Sequence, residues 1–242
     1  MPGAAKNTIP AISALLNNKT ADGRIENITV NKKQKEKTVM KKDYVHLCVV
    51  LDASGSMARI KDGIKSSINT FMAEQKKEQG KTVFDVFQFS NKVNRIVEHA
   101  DMADYKDDLM DSYSCSGMTA LYDAVCIAID TLGKEFAAMP EEERPEHVLF
   151  AIVTDGFENA SDEFSLSDVK ERIDRQTEKY SWEFVYLAAN QDEFEAKRTS
   201  RSMGIGFCKS TMKASDLSCM TECVLSEVTA KTRKRRISDS GK

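Results

Sequence analysis

No apolar stretch in the chain approaches the roughly 20 residues that a membrane-spanning helix needs. The N-terminal patch from Ile9 to Leu16 is interrupted by Pro10 and Ser13 and preceded by one lysine, a poor signal peptide. A soluble, cytoplasmic protein is therefore expected. The six cysteines (Cys48, Cys115, Cys126, Cys208, Cys219 and Cys223) include no Cys-x-x-Cys pair. There are only three histidines, and they do not cluster along the chain, so no zinc site is expected. Free thiols fit a reducing compartment. A Gly-x-x-x-x-Gly-Lys-Ser/Thr phosphate loop is missing, and so is the Gly-x-Ser-x-Gly elbow of serine hydrolases. These absences argue against a P-loop nucleotidase and a serine hydrolase.

What is present is a core-forming chain with segregated charge. Of 242 residues, 41% are hydrophobic, enough to bury a core without disulfides or a structural metal. The net charge of −3 hides basic ends. Residues 1–43 hold nine Lys/Arg against four Asp/Glu, and residues 231–242 hold six against one. The middle is strongly acidic. Such a body concentrates cations and is a poor binder of nucleic acid. Residues 1–42 read as a flexible basic leader, 43–230 as one folded domain and 231–242 as a basic disordered tail. Within the tail, Arg235-Arg-Ile-Ser238 resembles a basophilic kinase site. Its plainer reading is a solvated tail able to contact an acidic partner.

Periodicity sets the order of elements. Tyr44 to Leu51 is a near-continuous apolar run that ends at a turn signal, the pattern of a buried strand. Ile60, Ile64, Ile68, Phe71 and Met72 fall at helical spacing, with Gly80 past the helix end. Thr82–Phe89 and Val93–Val97, joined by a tight turn, predict an antiparallel hairpin. A short helix is predicted over Met102 to Met110, a loop over 112–118, and a long helix opening at Thr119. Strands follow at Val148–Val153, Phe184–Ala189 and Ile205–Cys208. Helices follow at Leu166–Tyr180, Phe194–Met203 and Ala214 to about Ala230. This alternation predicts a doubly wound α/β fold. Its sheet would be six-stranded and mostly parallel, with one antiparallel edge strand and helices on both faces.

In such sheets, sites form where strands end at their carboxyl edge. Three strand-end loops carry Asp52-Ala-Ser54-Gly-Ser56, Gly117-Met-Thr119 and Thr154-Asp155-Gly156. Two carboxylates and three hydroxyls, with nothing soft among them, suit a hard cation. Mg²⁺ comes first, with Mn²⁺ or Ca²⁺ as alternatives. Gly55, Gly117 and Gly156 would let the backbone turn around the ion, and Ser56 and Thr119 would sit at helix starts, where hydroxyls also cap. His46 and His147 precede or begin strands, at the opposite sheet edge from these loops, and His99 follows the hairpin's outer strand. All three read as structural or surface residues. Cys115 reads as a plain loop residue beside the ion, and Glu158 is the only local candidate for a general base.

Asp-x-Ser-x-Ser, then Gly-Met-Thr, then Thr-Asp-Gly, in this order and strand context, resembles the metal-ion-dependent adhesion site of von Willebrand factor A domains. The resemblance spans about residues 44–230. It implies direct metal contact by Ser54, Ser56 and Thr119, contact through ordered water by Asp52 and Asp155, and an open position filled by a partner protein's carboxylate. Leu121-Tyr-Asp-Ala, Asp155-Gly-Phe-Glu-Asn-Ala-Ser and Trp182-Glu-Phe-Val-Tyr-Leu-Ala-Ala-Asn-Gln-Asp resemble short cytoplasmic A-domain proteins of microbes and their viruses. The implied function is a metal-dependent protein-interaction module rather than an enzyme, bound to a partner that presents an acidic side chain. A metal-dependent phosphoester hydrolase and an accessory subunit of an AAA-type ATPase are the alternatives.

Overall fold

The computed structural model describes residues 44–76, 80–106, 111, 113–188 and 193–207. The expected leader, last helix and basic tail lie outside these residues, as do Cys208, Cys219, Cys223 and Ser238. The described strands are β1 (Tyr44–Asp52), β2 (Lys81–Phe89), β3 (Val93–Asp101), β4 (His147–Thr154), β5 (Glu183–Ala188) and β6 (Gly206–Phe207). The α-helices are α1 (Lys61–Gln75), α2 (Leu121–Ala138), α3 (Leu166–Tyr180) and α4 (Glu193–Met203). The six strands form one sheet in the order β3-β2-β1-β4-β5-β6. Only the β2–β3 pairing is antiparallel. The predicted doubly wound α/β architecture with one antiparallel edge strand is the one found.

Strand alternation sorts the core into two layers. Leu47, Val49 and Leu51 of β1 join Phe84 and Val86 of β2 on one face, where Ile60, Ile64, Ile68 and Met72 of the α1 segment cover them. Those four residues repeat every fourth position, the stripe of an amphipathic helix. Cys48, Val50, Phe87, Phe89, Phe150 and Ile152 face the other way, against Leu121, Val125, Ile129 and Leu132 of α2 and Val169 and Ile173 of α3. A capping box between Ser165 and Asp168 opens α3, and Ser181 in the left-handed region closes it.

Three local expectations are corrected. The first half of the short helix predicted over Met102–Met110 is a turn followed by irregular chain, and residues 107–110 lie outside the description. Its backbone is drawn into other bonds: Met102 N–H donates to the Thr82 carbonyl, and Tyr105 N–H to that of Asp101. Thr119 does not open α2. The capping position is Ala120, which has no side-chain cap, and Ser56 lies inside a 3₁₀ turn over Gly55–Arg59. The outer hairpin strand runs four residues past Val97 to Asp101, so His99 lies within β3 rather than after it. Register shifts interrupt the β2–β3 ladder around Asp85 and Val86, and His99 has a φ of 44°. Together they mark a bulge that re-aims side chains at the sheet edge.

Candidate metal centre

The five sequence-selected residues meet at the carboxyl ends of β1 and β4. Asp52 is the last residue of β1 and is fully buried. Its Oδ1 accepts from the Ser54 N–H at 2.7 Å and its Oδ2 from the Thr154 hydroxyl at 2.6 Å. The Ser54 and Ser56 hydroxyls lie 3.1 Å apart, and Ser56 donates to Asp155 Oδ1. Thr119 is buried on the far side of Gly156. A Cβ at Gly156 would sit 3.1 Å from Thr119 Oγ1 and 3.7 Å from Ser56 Oγ, so only glycine lets the β4 loop come this close to both hydroxyls. At Gly117 the requirement is conformational as well: its φ is +79°, and a Cβ would fall 2.1 Å from Asn91 Oδ1.

Residues passed over in the sequence hold this arrangement. Tyr113, buried under the site, donates its hydroxyl to the Asp52 carbonyl. Asn159 and Thr119 exchange two bonds: Thr119 N–H to Asn159 Oδ1 at 2.8 Å, and Asn159 N–H to the Thr119 carbonyl at 3.0 Å. Asp123 accepts three backbone N–H bonds, from Asp162, Glu163 and Phe164. Glu158 is not available as a base. Its Oε1 accepts from Ala160 and Ser161 N–H, and its Oε2 from Tyr122 N–H and the Ser161 hydroxyl. These contacts pin the loop after β4 onto the start of α2. Thr154, Asn159 and Glu158 stood within motifs quoted from the sequence. What they lacked was a partner, and only folding supplies one.

The donor set fits a hard cation. It is all oxygen, and burial raises the Asp52 carboxyl above its ordinary range. Bonds from Thr154 and Ser54 oppose that rise, and the neighbouring Asp155 charge adds to it. No Lys or Arg pairs with Asp52 or Asp155 among the described residues, so the positive charge this cluster favours has to come from outside it. Burial raises the Cys115 thiol too, which keeps it protonated at neutral pH and fits a plain loop residue.

The histidines correct a second expectation. His46 lies at the amino-terminal side of the sheet, as expected, but it is not isolated. Its Nε2 is 2.7 Å from Asp85 Oδ2, and His99 Nδ1 is 3.0 Å from the same oxygen. Three strands that are distant in sequence bring these groups together. The available signal was Asp85 itself, a carboxylate set in the middle of the apolar strand Val83–Phe89.

Solved structures of like fold are known. Two crystal forms of proximal thread matrix protein 1 from the mussel byssus superpose with a TM-score of 0.54. They are 15% and 18% identical, over 77% and 78% of this chain and 48% and 47% of theirs. The pilus adhesin SpaC from Lactobacillus rhamnosus GG, in its open conformation, gives 0.53 at 11% identity, over 79% of this chain and 30% of that one. These likenesses show the fold alone. A von Willebrand factor type A structure from Catenulispora acidiphila is also similar, with a TM-score of 0.49 and 15% identity over 74% of this chain and 42% of that one. The chain thus spans about half the length of the mussel protein and less of the others. No family model and no curated protein matches it. Among the described residues, no helix is long and apolar enough to cross a membrane.

Proposed function

We propose that this chain is a protein-interaction module that binds an acidic side chain of its partner through Mg²⁺ held by Asp52, Ser54, Ser56, Thr119 and Asp155. The observation that carries this reading is the convergence of the five oxygen donors at one sheet edge without a counter-cation. The adhesin among the structures of like fold is consistent with it. When bound, the ion supplies a positive centre with a coordination position for a carboxylate oxygen. The chain's own part is preorganisation. Thr154 and Tyr113 fix Asp52, Asn159 fixes Thr119, and three neutral hydroxyls leave the ion a net positive charge. Exposed Met118 and Phe157, each one residue from Thr119 or Gly156, offer apolar shoulders to a docking protein. A hydrolase reading loses its one local base, because both Glu158 oxygens are engaged.

The test is retention of proteins from host lysate by the full chain and by Thr119→Ala, each in Mg²⁺ and in chelator. A protein held only by the unaltered chain in Mg²⁺ is the expected result. Equal retention in all four lanes would sink the reading and move binding to another surface, such as the basic tail.

A further inference from the structure

The amino-terminal side of the sheet carries a second set of ligand atoms with different chemistry. His46 Nε2, Asp85 Oδ2 and a nitrogen of His99 all lie within 4.8 Å of one another. His46 and Asp85 are fully buried, and His99 is 28% exposed, which leaves a route in from solvent. Neither nitrogen of the buried His46 ring has a hydrogen-bond partner. Its Nε2 sits 2.7 Å from the carboxylate without the geometry of a hydrogen bond to it. A buried imidazole left unsatisfied in this way is costly. An ion lying off the direct line between the nitrogen and the oxygen would satisfy both.

The surroundings are those of a supported ligand set. Arg95 Nε donates to the other carboxylate oxygen, Asp85 Oδ1, at 2.6 Å, which turns Oδ2 toward the imidazoles. Glu135 Oε2 lies 3.7 Å from His99 Nε2, where it can take that ring's N–H while Nδ1 binds an ion. Arg95 also pairs with Glu135 through Nη1 at 2.7 Å and Nη2 at 3.0 Å. One Arg95 contact competes, that of Nη2 with His99 Nδ1 at 2.8 Å. Releasing it leaves Arg95 anchored by Glu135 and by Asp85 Oδ1. The observed ligand spacings of 2.7 and 3.0 Å would have to open by a few tenths of an ångström to admit bonds of about 2.0–2.1 Å. The bulge at His99 is where the sheet can give.

We infer that His46, Asp85 and His99 form a second metal site, selective for a borderline transition ion, Zn²⁺ above all. Two imidazoles and one carboxylate suit Zn²⁺, whereas Mg²⁺ prefers oxygen alone. The site is independent of the carboxyl-edge centre. Burial holds the His46 imidazole below its ordinary titration range despite the Asp85 charge, so it is neutral and able to ligate at pH 7.

The experiment uses the full chain carrying Thr119→Ala, so that the carboxyl-edge centre is already impaired. Zn²⁺ is titrated calorimetrically, and Co²⁺ serves as the spectroscopic probe. One equivalent of Zn²⁺ is expected, unaffected by excess Mg²⁺. Co²⁺ should give visible ligand-field bands without the intense near-ultraviolet band of thiolate ligation. His99→Asn removes the imidazole at a residue that tolerates the left-handed backbone. It should weaken Zn²⁺ binding by about a hundredfold or more, and circular dichroism should report an unchanged fold. Equal Zn²⁺ affinity in the folded His99→Asn variant, a thiolate spectrum, or no Zn²⁺ binding at all would each overturn the assignment. A failure of Mg²⁺-dependent partner retention would leave it standing.

Discussion

At the carboxyl ends of the strands, Asp52 and Asp155 share a cluster of hydroxyls and, among the described residues, have no Lys or Arg beside them. At the amino ends, Asp85 is buried as deeply as Asp52, yet it holds a guanidinium and two imidazoles. Burial disfavours both charges, and the outcomes differ in direction. The Asp52 carboxyl is raised, because burial is opposed only by neutral hydrogen bonds and is reinforced by Asp155. For Asp85, burial is outweighed by the proximity of His46 and Arg95, and the carboxyl is lowered. The lesson is that a buried carboxylate in this fold either brings its own cation or depends on one from solution.

Three experiments would break or sharpen that contrast. The largest effect is expected for Asp85→Ala in chelator, where Arg95 loses its buried partner. The loss should be about 3–5 kcal/mol in denaturant unfolding. Asp155→Ala under the same conditions should cost about 1 kcal/mol or less, since it forfeits one hydrogen bond and relieves a like charge. Comparable losses at both positions would erase the distinction.

Next comes Mg²⁺ itself. At a concentration one hundred times its dissociation constant, a ligand confined to the folded state adds about 2.7 kcal/mol. Unfolding midpoints should therefore rise with Mg²⁺ in the unaltered chain and stay flat in Asp155→Ala. A rise that survives Asp155→Ala would place the ion elsewhere.

The smallest effect is a pH dependence. His46 faces Asp85, His99 and Arg95, and in the fold its pKa lies below the ordinary value of about 6.5. Between the two values the unfolded chain binds the extra proton, so stability falls as pH drops below about 6.5. The denaturant midpoint in chelator should decline from pH 7.5 to 5.5. A flat profile would mean that His46 carries no net burial cost.

The two ends also differ in how far they could be read in advance. Asp52, Ser54 and Ser56 stand within five residues, and Thr119 and Asp155 each flank a glycine at a strand or helix boundary. Local chain geometry almost forces such groups to the carboxyl edge of a parallel sheet. The strand order followed from the same patterns, because buried parallel strands are apolar throughout and their crossover helices are amphipathic. The short helix expected at Met102–Met110 failed because propensity lost to backbone bonds with β2 and with Asp101.

The sequence by itself thus determined the alternation of strands and helices, the antiparallel edge and the clustering of oxygen-bearing loops, since each depends on neighbours a few residues apart. Only the tertiary structure decided that His46, Asp85, Arg95, His99 and Glu135 meet. They come from three strands and a helix, their separations in the chain follow no period, and the bulge that turns His99 inward exists only once β2 and β3 are paired.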